Sequence, residues 1–257
     1  MAKKEETTAV AVKEEAGLPA TINYEEDAGQ GFEETDSSCF AIPFLSILQA
    51  LSPQCIEGKA EFDENARPGM FYNSVTRQTW KGKEGVLVIP AHFGHVFNEW
   101  APNRGGFRGS MPPEDAYELL KQCSKNEKNQ DVTPEGNILS DTRNHYVLII
   151  GDDGNATPAV LSLTSTQLKK SKRWMSFMDS VKLPNGKTWP MFGKTYRLTS
   201  VSESNDNGTW FGMEFAPAGD VQNMQHYEAA KKFRDLVRSG AATAVPPDAG
   251  YEGDKPF

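Results

Sequence analysis

Four cations fall within five residues at Lys169, Lys170, Lys172 and Arg173, next to Trp174. Cations at that density neutralise phosphates, and an indole beside them offers a face on which a base can stack. The stretch carrying them, Ala159–Val181, reads as a short buried strand over Ala159–Leu163, a Thr164-Ser165-Thr166 cluster suited to capping a helix, and then the helix itself. Leu168, Ser171, Met175 and Met178 share one stripe at helical spacing, widened by Trp174, Phe177 and Val181. Lys169, Lys172, Arg173 and Ser176 share another, with Lys170 near the border. Binding of an anionic polymer follows from this pattern. A solvated amphipathic helix whose lysines serve solubility accounts for it equally.

A second group is aromatic. Phe71, Tyr72, Trp80, Phe93, Phe97, Trp100 and Phe107 cluster between Gly-rich turns and interleave with Arg77, Lys81, Lys83, Arg104 and Arg108. Stacking contributes ~1–3 kcal/mol per base and tolerates any base. Strand alternation sends about half of such rings inward. Trp80, Trp100 and Phe107 flank turns and are the rings expected at the surface. The candidate nucleic-acid contacts are therefore Lys169, Lys170, Lys172, Arg173, Trp174, Trp80, Trp100, Arg104, Phe107 and Arg108.

Other chemistries find less support. His92 and His95 are three apart, which on a strand puts them on opposite faces, and His145 and His226 lack ligating neighbours at a useful spacing. Asp152-Asp153-Gly154 reads as a turn, since the remaining oxygen ligands of a calcium loop are missing. Glu57-Gly-Lys59 has the spacing of metal-dependent nucleases, which also need an upstream acid on a neighbouring strand, and the spacing alone is common by chance. No glycine-rich phosphate loop is present. No catalytic residue, metal or cofactor is assigned, and a binding protein rather than an enzyme is expected.

The elements that must position these residues emerge from the rest of the 257-residue chain. Net charge is −8, but it is unevenly placed: residues 1–38 carry three lysines against ten acids, and 241–257 carry one lysine against three. The remaining core is close to neutral, which removes most of the objection that a low pI raises to binding an anionic polymer. Residues 1–36 have the composition of a disordered acidic segment, 37–239 of a folded core, and 240–257 of a flexible acidic tail. Three cysteines without a CxxC pair read as reduced thiols. An acidic N-terminus without an apolar stretch predicts no signal peptide, and no apolar run reaches the ~18 residues of a membrane span.

Strands are predicted at 69–76, 86–100, 144–150, 159–163, 191–201 and 209–216, and helices at 112–123, in the basic stretch, and at 220–237. Phe40–Gln49 could be strand or short helix, and 124–143 reads as a loop or small hairpin. Pro90 and Gly94 inside the 86–100 run predict an edge position or a bulge. This is a mainly β, α+β chain. An antiparallel barrel like the oligonucleotide-binding (OB) fold, with flanking helices, fits it. An unrelated antiparallel sheet covered by helices fits the string nearly as well.

The end of the sequence, Asp248-Ala-Gly-Tyr-Glu252-Gly-Asp254-Lys-Pro256-Phe257, resembles the acidic tip of bacterial single-stranded DNA-binding proteins. That resemblance implies docking of replication and repair proteins by Asp248, Glu252, Asp254, Pro256 and Phe257. Across residues 40–237, the blocks Ile42–Gln49, Ser165–Trp174 and Ser202–Phe211 resemble a group of tailed-phage proteins regarded as single-stranded DNA-binding. The expectation is a phage protein that coats displaced single strands in replication or recombination in the cytoplasm of the infected bacterial host. It would have no membrane contact, and homo-oligomerisation is left open. A recombination annealing or nuclease-associated factor and a virion structural protein are the alternatives.

Overall fold

The computed structural model describes residues 26–36, 39–102, 106–206, 208–242 and 244. Contacts divide the chain into residues 1–39 and 40–257. In the first unit, residues 26–36 run as successive turns, with Gln30 N–H on Asp27 O and Phe32 N–H on Gly29 O.

In the second unit the strands are β1 (Leu45–Ile47), β2 (Phe71–Asn73), β3 (Thr79–Trp80), β4 (Val86–Trp100), β5 (Phe107–Met111), β6 (Ser124–Lys125), β7 (Asp131–Val132), β8 (Ile138–Ile150), β9 (Ala156–Thr164), β10 (Lys194–Asn205) and β11 (Gly208–Asp220). The helices are α1 (Pro113–Leu120), α2 (Leu168–Ser180) and α3 (Met224–Arg238). One sheet has the order β11-β10-β4-β8-β7-β6, with β5 added on β4 and β9 on β8; a small second sheet is β1-β2-β3. The large sheet curls into an antiparallel half-barrel of OB-like α+β character.

β4 and β8 form its spine, paired from Leu87↔Ile150 to Trp100↔Ile138. The register shifts between Pro90 and His92, so the bulge that Pro90 implied is present. The strand is central, however. Its other side pairs with β10 over Val86–Val88 and with β5 over Phe97–Trp100, and Pro90 lies between those two partners. β8 starts at Ile138 rather than Asn144, because Asp141, Thr142 and Arg143 still pair with β4. Their polarity reflects side-chain partners, not a loop.

Alternation sorts the core. On the inner face Val86, Val88, Val147, Ile149, Leu161 and Leu198 meet Trp174 and Met178 of α2. On the outer face Ile89, Tyr146, Leu148 and Val160 meet Phe192 and, from α3, Ala230 and Phe233. Farther along β4, Phe97 and Leu139 are covered by Ala116 of α1. The gap between β9 and β11 is bridged at one end by β1: Val160 N–H donates to Pro43 O, and Gln49 bonds the Phe211 backbone. At the other end, α2 fills it.

Candidate nucleic-acid interface

Why α2 sits where it does can be read from its buried residues. Ser171, Trp174 and Met178 recur at helical spacing and face inward. Trp174 is 0 % exposed. It stacks on His145 at 4.8 Å and on Phe215 at 5.9 Å, and meets Tyr196 edge-on. Ser171 Oγ lies 2.8 Å from His145 Nε2. Burial, and secondarily the charge of Arg143, push the His145 pKa down to about 3, so this ring is neutral at ordinary pH. The hydroxyl cluster does not cap the helix by its side chains. Gln167 holds the cap position, and its Oε1 instead accepts from Met213 N–H at 2.8 Å, on the outer edge of β11.

That anchoring fixes where the cations point. Lys169 and Lys172 are exposed. Arg173 keeps 60 % of its side chain exposed, pairs with Glu214 at 3.1 Å and covers the Phe215 ring at 5.1 Å. Lys170 is different. Its ammonium lies between Glu203, at 2.6 Å, and Glu214, with only 19 % of the side chain exposed. Burial pulls its pKa down, but the bonds and charges of Glu203 and Glu214 outweigh that and raise it. Lys170 therefore ties α2 to the β10–β11 hairpin. With two carboxylates set against four cations, Lys170 and Arg173 are offset by Glu203 and Glu214, and the excess charge facing solvent is that of Lys169 and Lys172.

The structure corrects the place of Trp174 and locates the other expected rings. Trp174 belongs to the core and has no face to offer a base. Trp80 is half-buried, pairs across from Phe71 and packs on the inner core. Trp100 and Phe107 are brought together, as a cross-strand pair with ring centres 5.4 Å apart, and both are half-buried. Arg108 beside them is exposed. This pair is remote from α2. Trp100 pairs with Ile138, seven residues along β8 from His145, or about 23 Å at ~3.3 Å per residue. It also points to the opposite face, since alternation places Phe93 with His145 and Phe97 with α1 on the inner side. Arg104 and the residues Asp248, Glu252, Asp254, Pro256 and Phe257 lie outside the described residues.

Sequence reasoning did not assign to the site two aromatics near the cation strip, one within α2 and one on β11. Phe177 is 37 % exposed and stands edge-on to Phe215. Trp210 donates its Nε1–H to Glu203 Oε2 at 2.9 Å. It lines a cleft between β1, the end of β9, the turn before α2, and β11. Ile47 and Leu163 line the cleft from within, while Ser46, Thr164 and Thr166 are half-exposed around it. The hairpin signal at 204–208 locates Trp210 on a strand, but Glu203 and Lys170 are 33 residues apart and nothing local links them.

Among the described residues, the remaining polar groups lie apart from this strip. His92 lies against Tyr146 and His95 against Phe97, on opposite faces. His95 Nε2 is 3.0 Å from Asp141 Oδ1 but is not aligned for a hydrogen bond, and Arg143 bonds the same carboxylate by two nitrogens. Glu57 and Lys59 are exposed in turns. Among the described residues no three His, Cys, Asp or Glu converge as metal ligands, and no helix is long and apolar enough to cross a membrane.

No curated protein and no solved structure matches the chain. A family does: the Pam3 phage gp34-like proteins match it over residues 11–243. With that match spanning the curled sheet, α2 and α3 alike, the chain belongs to the Pam3 phage gp34-like protein family.

Proposed function

We propose that this phage protein binds single-stranded DNA, without sequence preference, and coats displaced strands during replication or recombination in the host cytoplasm. The observation that carries this reading is the exposed row of Lys169, Lys172 and Arg173, held on a helix whose other face is locked into the barrel. A rigidly mounted cation row suits a phosphate backbone. The OB-like curl is compatible, since such sheets recur in single-strand binders. Its role is binding rather than catalysis. The acidic Asp248–Phe257 segment would recruit replication or recombination proteins, by its resemblance to the tips of bacterial single-stranded DNA-binding proteins. The test is fluorescence anisotropy of labelled oligo-dT against a duplex of equal length. Preference for the single strand supports the reading, and equal or absent binding removes it.

A further inference from the structure

Four rings meet where α2 lies against β10 and β11: Trp174, Phe177, Tyr196 and Phe215. Three of them are covered. Trp174 is 0 % and Tyr196 1 % exposed. Phe215 has Trp174 stacked on it and Arg173 over its ring at 5.1 Å. Phe177 is different. Phe215, at 5.7 Å, and Tyr196, at 6.2 Å, meet it edge-to-face and fix its position, yet it remains exposed. Its neighbours on the solvent side of the helix, Ser176 and Ser180, are short and exposed themselves, and the Ser180 hydroxyl is turned back onto Phe177 O. The ring therefore has open space beside it.

Its position in the row matters as much as its exposure. Lys169, Arg173 and Phe177 are each four residues apart, so they follow one another along one side of α2, about 6 Å per step at the ~1.5 Å rise of a helix. Lys172 runs beside them on the exposed face. Arg173 is engaged by Glu214 and Phe215. That leaves Lys169 and Lys172 for phosphates, and an apolar ring at the far end of the same row.

We propose that Phe177 is a base-stacking residue: one unpaired base lies on its exposed surface while Lys169 and Lys172 hold nearby phosphates of the same strand. The proposal rests on the single-strand reading above and adds the residue that touches the base. Every base has a π-face, so the contact does not select among them. In a duplex that face is covered by the neighbouring pairs, so the ring gives single-strand preference an origin that cations alone do not supply. The rings expected from sequence do not fill this role at the strip: Trp174 is buried, Trp80 is packed on the core, and the Trp100–Phe107 pair is remote from α2.

The test uses the full chain and oligo-dT. Phe177→Leu keeps an apolar side chain against Phe215 and Tyr196 but has no π-face. It should weaken binding about 5- to 150-fold without changing the salt dependence, whereas Phe177→Tyr should stay close to wild type. Oligo-dT carrying one 5-iododeoxyuridine should cross-link to Phe177 on irradiation. Wild-type affinity in folded Phe177→Leu would overturn the stacking role, and so would equal losses in Phe177→Leu and Phe177→Tyr, which would make Phe177 a packing residue only. The cross-link is made on the wild-type chain and decides even if Phe177→Leu does not fold: none at Phe177, wherever the iodinated base is placed, overturns the proposal. If the wild-type chain binds no oligonucleotide, the single-strand reading itself fails and the stacking role with it; binding that ignores Phe177 removes the stacking role alone.

Discussion

Gln49 holds Phe211 by both ends of one amide: its Nε2–H donates to Phe211 O at 2.9 Å, and its Oε1 accepts from Phe211 N–H at 2.8 Å. A side chain thus does what a neighbouring strand would do on the outer edge of β11. Gln167 repeats half of this two residues on, at Met213. Strand edges left open invite pairing with other chains. Here two glutamines occupy this one while joining β1 and the start of α2 to the barrel.

Gln49→Ala should therefore lower stability by about 1–3 kcal/mol, since two backbone groups lose their partners. Gln49→Glu should be no better, because a carboxylate cannot donate to Phe211 O. Urea unfolding of both variants checks this; a loss below ~0.5 kcal/mol in each would show that the amide is not a structural clasp.

Trp174 offers a direct check on its reassignment to the core. Trp174→Ala should cost about 3–5 kcal/mol. Trp174→Phe should cost far less, because its Nε1 has no hydrogen-bond partner to lose, and should leave DNA affinity of the folded protein unchanged. A folded Trp174→Phe variant with weakened binding would return Trp174 to the interface.

His145 sets a pH dependence of defined sign. Its pKa in the folded state is lowered to about 3, against an ordinary ~6.5 in the unfolded chain. Unfolding between those values takes up a proton. The stabilising effect is complete above about pH 6.5 and declines as pH falls towards 3, by up to about 1.4 kcal/mol per pH unit. His145→Phe should thus be closer to wild type in stability at pH 4 than at pH 7. A difference independent of pH would contradict this.

Lys170 and Lys172, two residues apart, should behave oppositely. Lys170→Gln leaves Glu203 without its cation and Glu214 with Arg173 alone and should reduce stability while barely changing the salt dependence of DNA binding. Lys172→Gln should leave stability alone and weaken binding. Thermal unfolding combined with anisotropy titrations separates the two, and identical behaviour would remove the distinction drawn between them.

How far the sequence revealed this arrangement depended on the range of the interactions. Local periodicity located β4 at Val86–Trp100 and α2 as a helix with an apolar stripe, because alternation and helical spacing are written in neighbouring residues. The same stripe already held Trp174, yet its nearness in sequence to Lys172 and Arg173 suggested a shared surface; a helix separates adjacent residues by about 100°, and His145 and Phe215 bury the ring. The pairing of Lys170 with Glu203 and Glu214, and of Gln49 with Phe211 across 162 positions, had no local signature. Nor did the separation of Trp100 from α2, which follows from the β4–β8 register.

The most direct measurement is the slope of log K against log salt for the full chain on oligo-dT. Each phosphate contact adds about 0.7 to its magnitude for single strands. Replacing Lys169 and Lys172 by Glu should weaken binding and reduce the slope by about 1.4 or more, with the fold intact by circular dichroism. An unchanged slope and affinity in that folded variant would contradict the account, because it would take α2 out of the binding surface.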